Sequence, residues 1–171
     1  MKWIECLADL IFPRKCEICG RLLTGDERYI CEDCMEDMPL TYYWDWPENP
    51  AEKKLWVRTH LHRVIPLFFY TRESRYITLI HKIKYQGKAH LAHHMGFMLG
   101  EKLRGVLSDV DYVVPIPLHP IRRWRRGYNQ AEIIAGGVID ALFGKEKAKL
   151  HLRCDILKRG RYTRTQTRRK I

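Results

Sequence analysis

The chain has 171 residues, of which 46% are hydrophobic, and this is too apolar a composition for a disordered protein. Its net charge of +11 is uneven: residues 1–55 contain seven Lys/Arg against twelve Asp/Glu, and residues 56–171 contain twenty-four against eight. The charge split predicts two modules, the second of which attracts phosphate-bearing partners. A solvated basic surface is the alternative interpretation.

The apolar start of the chain, from Trp3 to Phe12, is too short to cross a bilayer. It is interrupted by Glu5 and Asp9 and has no small-residue cleavage site, so no secretory signal is predicted. We therefore expect a cytoplasmic protein without membrane insertion. The same segment predicts a first helix with Cys6 buried on its apolar side.

Four of the six cysteines form two C-x-x-C pairs, Cys16 with Cys19 and Cys31 with Cys34. Each pair allows a tight turn to aim two thiolates at one point, and two such turns make a closed tetrahedral zinc site. Because cytosolic thiols stay reduced, zinc is preferred over disulfides, over a redox-active C-x-x-C and over chance. Residues 1–38 are thus predicted to be a helix and a structural zinc ribbon, with a short hairpin between residues 21–23 and 28–30.

Residues 39–56 contain turn signals and are predicted to be a linker to a second domain, residues 57–171. In that domain, residues 64–70 predict a strand, placed at a sheet edge by Pro66. Apolar spacing then predicts two helices, one carrying Ile77, Ile80 and Ile83, and one over residues 89–103.

A continuous apolar stretch at residues 111–117 predicts a strand buried on both faces of a parallel sheet. A helix over residues 129–143 and a strand over residues 150–157 follow. Strand, crossover helix and strand form a βαβ unit, so the predicted fold class is α/β.

The loop that enters this crossover, residues 118–130, contains four arginines. It leaves the carboxyl end of a predicted strand and enters a helix, which is where ligands bind in open α/β sheets. Gly127 allows close approach of the backbone to a ligand, and Asn129 can cap the helix. These features favour phosphate binding, and an exposed basic loop is the alternative.

The residues from Val113 to Pro120, VVPIPLHP, and from Arg126 to Gln130, RGYNQ, closely resemble the ComF family of competence-associated proteins. That family carries a VPVPLHP strand and an RGFNQ loop in a type I phosphoribosyltransferase-like parallel-sheet domain, after a four-cysteine zinc element. Lys84-Tyr85 fits a further family motif. A downstream R-x-x-T-x-x-Q element is matched loosely by Arg159, Thr163 and Gln166.

The resemblance implies a protein of DNA uptake and natural transformation that binds phosphoribosyl pyrophosphate, or a related phosphorylated sugar, with Mg²⁺. It implies pyrophosphate contacts from the RGYNQ loop, with two downstream arginines closing over the ligand: Arg126, Gly127, Tyr128, Asn129, Gln130, Arg164 and Arg168. Single-stranded DNA and other DNA-uptake proteins are the further partners it implies.

One departure concerns the loop with which type I phosphoribosyltransferases bind ribose 5-phosphate, an acidic pair followed by Thr-Thr-Gly. Nothing in the 171 residues matches it, so we expect a C-terminally shortened member whose second domain is incomplete. Whether the chain is an enzyme stays open. One alternative is an (amido)phosphoribosyltransferase-type enzyme of nucleotide metabolism. Another is a non-enzymatic zinc-ribbon module that binds nucleic acid through the basic run at residues 158–170.

Overall fold

A computed structural model describes residues 13–107, 110–143 and 151–163. The chain divides into two compact units, Met1–Lys82 and Ile83–Ile171. The predicted first helix around Cys6, and the candidate ligand residues Arg164 and Arg168, lie outside the described residues. The domain limits predicted from the sequence stay predictions.

From residue 13 onward, the first unit contains two short helices, α1 (Glu32–Glu36) and α2 (Pro50–Trp56), and most of α3 (Ile77–Tyr85). The α2 helix begins with a reciprocal cap, in which the Asn49 side chain accepts from the Glu52 amide and the Glu52 carboxylate accepts from the Asn49 amide. The segment predicted as a linker therefore contains a helix that the sequence analysis did not predict.

Glu52 also organises the chain around α2, although its side chain is almost fully buried. Its carboxylate receives the Arg63 guanidinium at 3.0 Å and the Val64 amide at 3.0 Å. Arg63 in turn donates to the carbonyl oxygens of Tyr43 and Trp44. One buried ion pair thus joins α2 to the segments before and after it.

The strand predicted for residues 64–70 is wrong for the most part. Among the described residues, this segment forms one isolated antiparallel bridge, between Phe68 and Leu40. Pro66 has no amide proton to donate to a ladder. Its carbonyl oxygen accepts a hydrogen bond from the Thr41 hydroxyl.

The second unit contains α4 (Ala89–Leu103), β1 (Tyr112–Val113), α5 (Pro120–Arg126), α6 (Gln130–Phe143) and β2 (His151–Leu152). The two strands are parallel, with Tyr112 opposite His151 and Val113 opposite Leu152. The helices α5 and α6 lie in the crossover between them, so the predicted βαβ connection is present.

Both strands are far shorter than the sequence predicts, and helices make up most of the regular secondary structure in the described residues. Pro115 and Pro117 cannot donate ladder hydrogen bonds, which explains why β1 does not extend through the apolar stretch. Tyr112 is 51% exposed, so the prediction of a strand buried on both faces is also wrong.

The core of the second unit is the contact between α4 and α6, which meet at glycines. A Cβ atom at Gly96 would lie 2.0 Å from the Ile134 carbonyl oxygen, and one at Gly137 would lie 2.1 Å from the His93 carbonyl oxygen. Only glycine permits this close approach of the two backbones. Leu91 and Ala92 of α4 are buried in the same unit.

Candidate metal centre

The first C-x-x-C pair lies at the turn of a small backbone hairpin. The Cys16 amide donates to the Arg21 carbonyl oxygen at 2.7 Å, and Lys15 forms an antiparallel bridge with Leu22. Gly20 closes the turn at a φ of 78°, a conformation that favours glycine. Residues 21–23 therefore pair backwards with residues 14–16, and the hairpin predicted with residues 28–30 is wrong.

The second pair lies at the start of α1, where Cys31 precedes the first turn and Cys34 is within it. A hydrogen bond from the Glu17 amide to the Tyr29 carbonyl oxygen, 2.8 Å long, ties this segment to the first turn. The four cysteine sulfurs lie within 4.8 Å of one another, and the Cys19 and Cys31 sulfurs are 3.6 Å apart.

This donor set fits zinc. Four thiolates satisfy the tetrahedral preference of Zn²⁺ and leave no position for substrate, so the ion would stabilise the fold without acting in catalysis. Cys16, Cys31 and Cys34 are buried, and Cys19 is exposed. Metal binding to such a small module contributes directly to its folding free energy.

Hydrogen bonds to its sulfur favour the thiolate form of one of the four cysteines, Cys16. Burial alone would raise the pKa of Cys16, but backbone amides, including those of Cys31 and Ile18, donate to its sulfur and lower the pKa to about 6. Burial and the neighbouring cysteines raise the pKa of Cys34 above its ordinary value. A metal ion must therefore displace the proton of Cys34 but finds Cys16 largely ionised at neutral pH.

Glu27 connects the two halves of the ribbon. Its carboxylate accepts from the amides of Thr24 and Glu32, both at 2.8 Å, and from the Arg21 guanidinium at 2.8 Å. These two amides, and then Arg21, lower the pKa of Glu27. The side chain therefore supports the metal site from outside the ligand set.

The helix α3 and the residue before it contact the ribbon through hydrogen bonds. The Tyr76 hydroxyl donates to the Cys34 carbonyl oxygen at 2.9 Å, and Lys82 Nζ donates to the Glu17 carbonyl oxygen at 2.8 Å and to its carboxylate at 2.9 Å. Lys82 places a cation near a site that carries two negative charges when four thiolates bind Zn²⁺.

Comparison with known proteins supports the ribbon alone. The double zinc ribbon domain family matches residues 7–43. This range contains four cysteines, which suffice for one zinc ion. No curated protein and no solved structure matches the chain. No helix in the described part of the chain is long and apolar enough to span a membrane.

The other predicted site residues lie in the second unit, around the turn from α5 to α6. Arg126 ends α5, and Gly127 follows at a φ of 79°, its amide donating to the Arg123 carbonyl oxygen at 2.8 Å. A Cβ atom at Gly127 would meet nothing within 4 Å, so the backbone there is open to a ligand. The Arg126 guanidinium lies 5.5 Å from the centre of the Tyr85 ring.

The next three residues point largely into the protein. The Tyr128 hydroxyl donates to the Ile83 carbonyl oxygen. Asn129, only 2% exposed, donates to the Ile116 carbonyl oxygen at 3.1 Å and accepts from the Ala131 amide at 3.2 Å. Gln130 begins α6, and its buried Nε2 has no hydrogen-bond partner among the described residues. The structure thus brings Arg126 to Gln130 together in one turn.

The sequence predicted that Arg164 and Arg168, which follow β2, close over this turn, but it predicted no contact for Tyr162 in the same segment. The Arg153 amide continues the parallel pairing by donating to the Val113 carbonyl oxygen at 3.0 Å. Further along, Tyr162 packs edge-on against His119, with ring centres 5.2 Å apart, and the Arg122 guanidinium lies 5.4 Å from its ring centre. Parallel pairing was the signal that could have predicted this neighbourhood, because it brings the carboxyl ends of both strands to one edge.

Proposed function

We propose that this is a ComF-like phosphoribosyltransferase-fold protein of DNA uptake and natural transformation. In this proposal it acts in the cytoplasm and binds phosphoribosyl pyrophosphate, or a related phosphorylated sugar, at the turn Arg126–Gln130. The zinc ribbon is its structural element. The observation that supports the proposal most is the parallel pair β1–β2, whose crossover carries this turn and the arginines before it.

Within the turn, we expect the anion at the backbone of Gly127 and at Arg126. The Gly127 amide itself donates to Arg123, but the space beside the Gly127 Cα is open, and Arg126 supplies positive charge at its edge. The first turn of α6 is a poorer anion site, because Glu132 lies there and pairs with Arg123 at 3.1 Å. Asn129 and Tyr128 then shape the turn, while Arg164 and Arg168 are proposed to close over the ligand.

Calorimetric titration of the full-length chain with phosphoribosyl pyrophosphate and Mg²⁺ tests this function. We expect saturable binding that falls about tenfold in Arg126→Gln, because one charge-assisted contact is lost. Arg72→Gln, which removes an exposed arginine from the first unit, is the matched control and should bind as the wild type does. Absence of binding by the wild type, or equal binding by Arg126→Gln, would contradict the proposal.

A catalytic variant of this proposal is an (amido)phosphoribosyltransferase-type enzyme of nucleotide metabolism. It would stabilise the charge of the departing pyrophosphate with Mg²⁺ and basic side chains. The 171 residues contain no match to the acidic-Thr-Thr-Gly loop of such enzymes. Release of pyrophosphate from phosphoribosyl pyrophosphate in the presence of ammonia or glutamine would favour the enzyme instead.

The second candidate function is binding of single-stranded DNA, alone or with other DNA-uptake proteins. A zinc ribbon is a common element of nucleic-acid-binding proteins, but seven acidic residues surround these cysteines: Glu17, Asp26, Glu27, Glu32, Asp33, Glu36 and Asp37. Phosphates would be repelled there, so the basic second unit is the better candidate for this contact. Binding of a labelled thymidine oligonucleotide that weakens steeply with salt would support it.

A further inference from the structure

The helix α5 has two chemically different faces. At about 100° per residue, Arg122, Arg123 and Arg126 occupy one side of the helix. Each of these arginines has a partner in the second unit: Arg122 donates to the Thr163 carbonyl oxygen, Arg123 pairs with Glu132, and Arg126 lies over Tyr85. This inner face therefore uses its positive charges to hold the turn and the segment after β2.

The outer face consists of Ile121, Trp124 and Arg125, which lie at helical spacing of three and four residues. Trp124 is 84% exposed and Ile121 is 49% exposed. Arg125 is exposed and forms no hydrogen bond or ion pair with the residues that the structure describes. An exposed indole ring and an exposed guanidinium without a partner among the described residues thus share one side of a helix whose inner face is held by other contacts.

We propose that the outer face of α5 is a stacking surface for single-stranded nucleic acid, a proposal that rests on the nucleic-acid part of the proposed function. A base stacks on the Trp124 ring, and Arg125 binds a neighbouring phosphate. A single strand is favoured over a duplex, because only unpaired bases offer a free ring face.

The positive charge of the second unit favours single-stranded nucleic acid, a polyanion, as the partner of the outer face. The outer face adds a cation to a part of the chain with a strong excess of Lys and Arg, residues 56–171. Its only aliphatic side chain is Ile121, which offers less apolar surface than a stable protein interface needs. The face lies opposite the arginines that border the phosphate turn, so nucleic acid and phosphoribosyl pyrophosphate bind different sides of one helix.

Fluorescence anisotropy with a labelled 20-nucleotide thymidine strand and the full-length chain tests the proposal. We expect Trp124→Ala to weaken binding about tenfold, since stacking on one aromatic side chain is lost. Trp124→Phe should keep most of the affinity while losing most of the tryptophan quenching by the bound strand. Arg125→Gln should reduce the slope of log K against log salt by about 0.7, the contribution of one phosphate on a single strand.

Two controls separate this proposal from the proposed function. Trp46→Ala, which removes a half-exposed tryptophan of the first unit, should bind the strand as the wild type does. Trp124→Ala should bind phosphoribosyl pyrophosphate in calorimetry as the wild type does. If the wild type itself does not bind phosphoribosyl pyrophosphate, the proposed function fails and the stacking surface is unaffected. Wild-type affinity of Trp124→Ala for the strand would overturn the stacking surface. So would a dimer that Trp124→Ala abolishes without changing strand affinity, because the occupant would then be a second copy.

Discussion

Protons and the metal ion compete for the four cysteine sulfurs, and the four sulfurs differ in how tightly they hold a proton. Amide donors hold the pKa of Cys16 at about 6, while burial raises the pKa of Cys34. In the metal-free ribbon, a lowered pKa means that the Cys16 thiolate stabilises the folded state at pH values above the ordinary thiol pKa, and this contribution is lost as the pH falls through about 6. Zinc adds to this dependence, because every ligand must be a thiolate.

We therefore expect zinc affinity to fall steeply as the pH decreases from 7.5 to 5.5. Zinc transfer to a chromogenic chelator, measured across this range, gives the affinity directly. The same titration of a zinc site made of carboxylates would be much flatter above pH 5, because carboxylates are already ionised there. An affinity that does not change between pH 7.5 and 5.5 would contradict thiolate ligation.

Replacing one buried ligand should release the ion. In Cys31→Ser we expect loss of stoichiometric zinc and unfolding of the ribbon, because three thiolates and a hydroxyl bind Zn²⁺ far more weakly. The zinc content of the purified chain and its NMR amide spectrum measure both effects. Cys154→Ser is the control, since Cys154 is exposed and distant in sequence from the four ligands; it should keep its zinc.

A substitution at Glu27 tests whether its hydrogen bonds stabilise the zinc site. In Glu27→Gln, the amide side chain cannot accept equally from Thr24, Glu32 and Arg21, so the thermal midpoint of the ribbon and its zinc affinity should both fall. Asp26→Asn changes the neighbouring charge and serves as the control. If both variants lose zinc affinity equally, general electrostatics rather than the Glu27 contacts supports the site.

At the scale of elements, the buried pair of Glu52 and Arg63 should be the most sensitive feature of the first unit. Glu52→Ala leaves the partly buried Arg63 with an uncompensated charge and removes the Glu52 half of the reciprocal cap of α2, so we expect a loss of about 3 kcal/mol in the free energy of unfolding. Urea denaturation measures it, and Lys53→Ala on the exposed side of α2 should change the value little. An equally small effect of Glu52→Ala would show that the pair does not hold the segments together.

The same carboxylate gives the first unit a defined acid sensitivity. Burial would raise the pKa of Glu52, but the Val64 amide and Arg63 outweigh it, and the net pKa is lowered. Its stabilising contribution is present above the unfolded value of about 4.3 and is lost as the pH falls through the lower folded value.

Because α4 and α6 touch at Gly137 but not at Gly136, we expect alanine at these two neighbouring positions to change the free energy of unfolding in opposite directions. Gly137→Ala would place a methyl group 2.1 Å from the His93 carbonyl oxygen, and we expect it to cost about 3 kcal/mol as the helices separate. At Gly136 nothing lies within 4 Å, so Gly136→Ala should stabilise the helix by up to about 1 kcal/mol. Thermal unfolding of the two variants distinguishes them. Equal effects would contradict the close helix contact.

Among the helices of the second unit, α5 falls in the segment predicted to be a loop, whereas α4 and α6 were predictable from apolar spacing because they are long enough for a 3.6-residue period to show. The strands were not, because a continuous apolar run does not reveal that Pro115 and Pro117 end the ladder. The α2 helix was missed for a different reason. Its stability comes from the Asn49 cap and a buried ion pair with Arg63, and neither gives a periodic signal.

For the whole molecule, the sequence predicts the cysteine cluster of the first unit better than the geometry of the second unit. The spacing of the cysteines was sufficient to predict the metal ligands, since C-x-x-C geometry is local. The turn Arg126–Gln130 depends on contacts far apart in the chain, such as Tyr128 with the Ile83 carbonyl oxygen and Asn129 with that of Ile116, which no local pattern reveals. The two faces of α5 likewise emerge only when the partners of its arginines are known.

We infer a structural metal ion in the first unit and propose a phosphate ligand for the second. Native mass spectrometry of the full-length chain, purified under reducing conditions, tests both assignments in one measurement. It should show one zinc ion per chain and, after addition of phosphoribosyl pyrophosphate with Mg²⁺, one further bound ligand that Arg126→Gln retains poorly. A chain without stoichiometric zinc, or one that retains no phosphoribosyl pyrophosphate, would contradict the account.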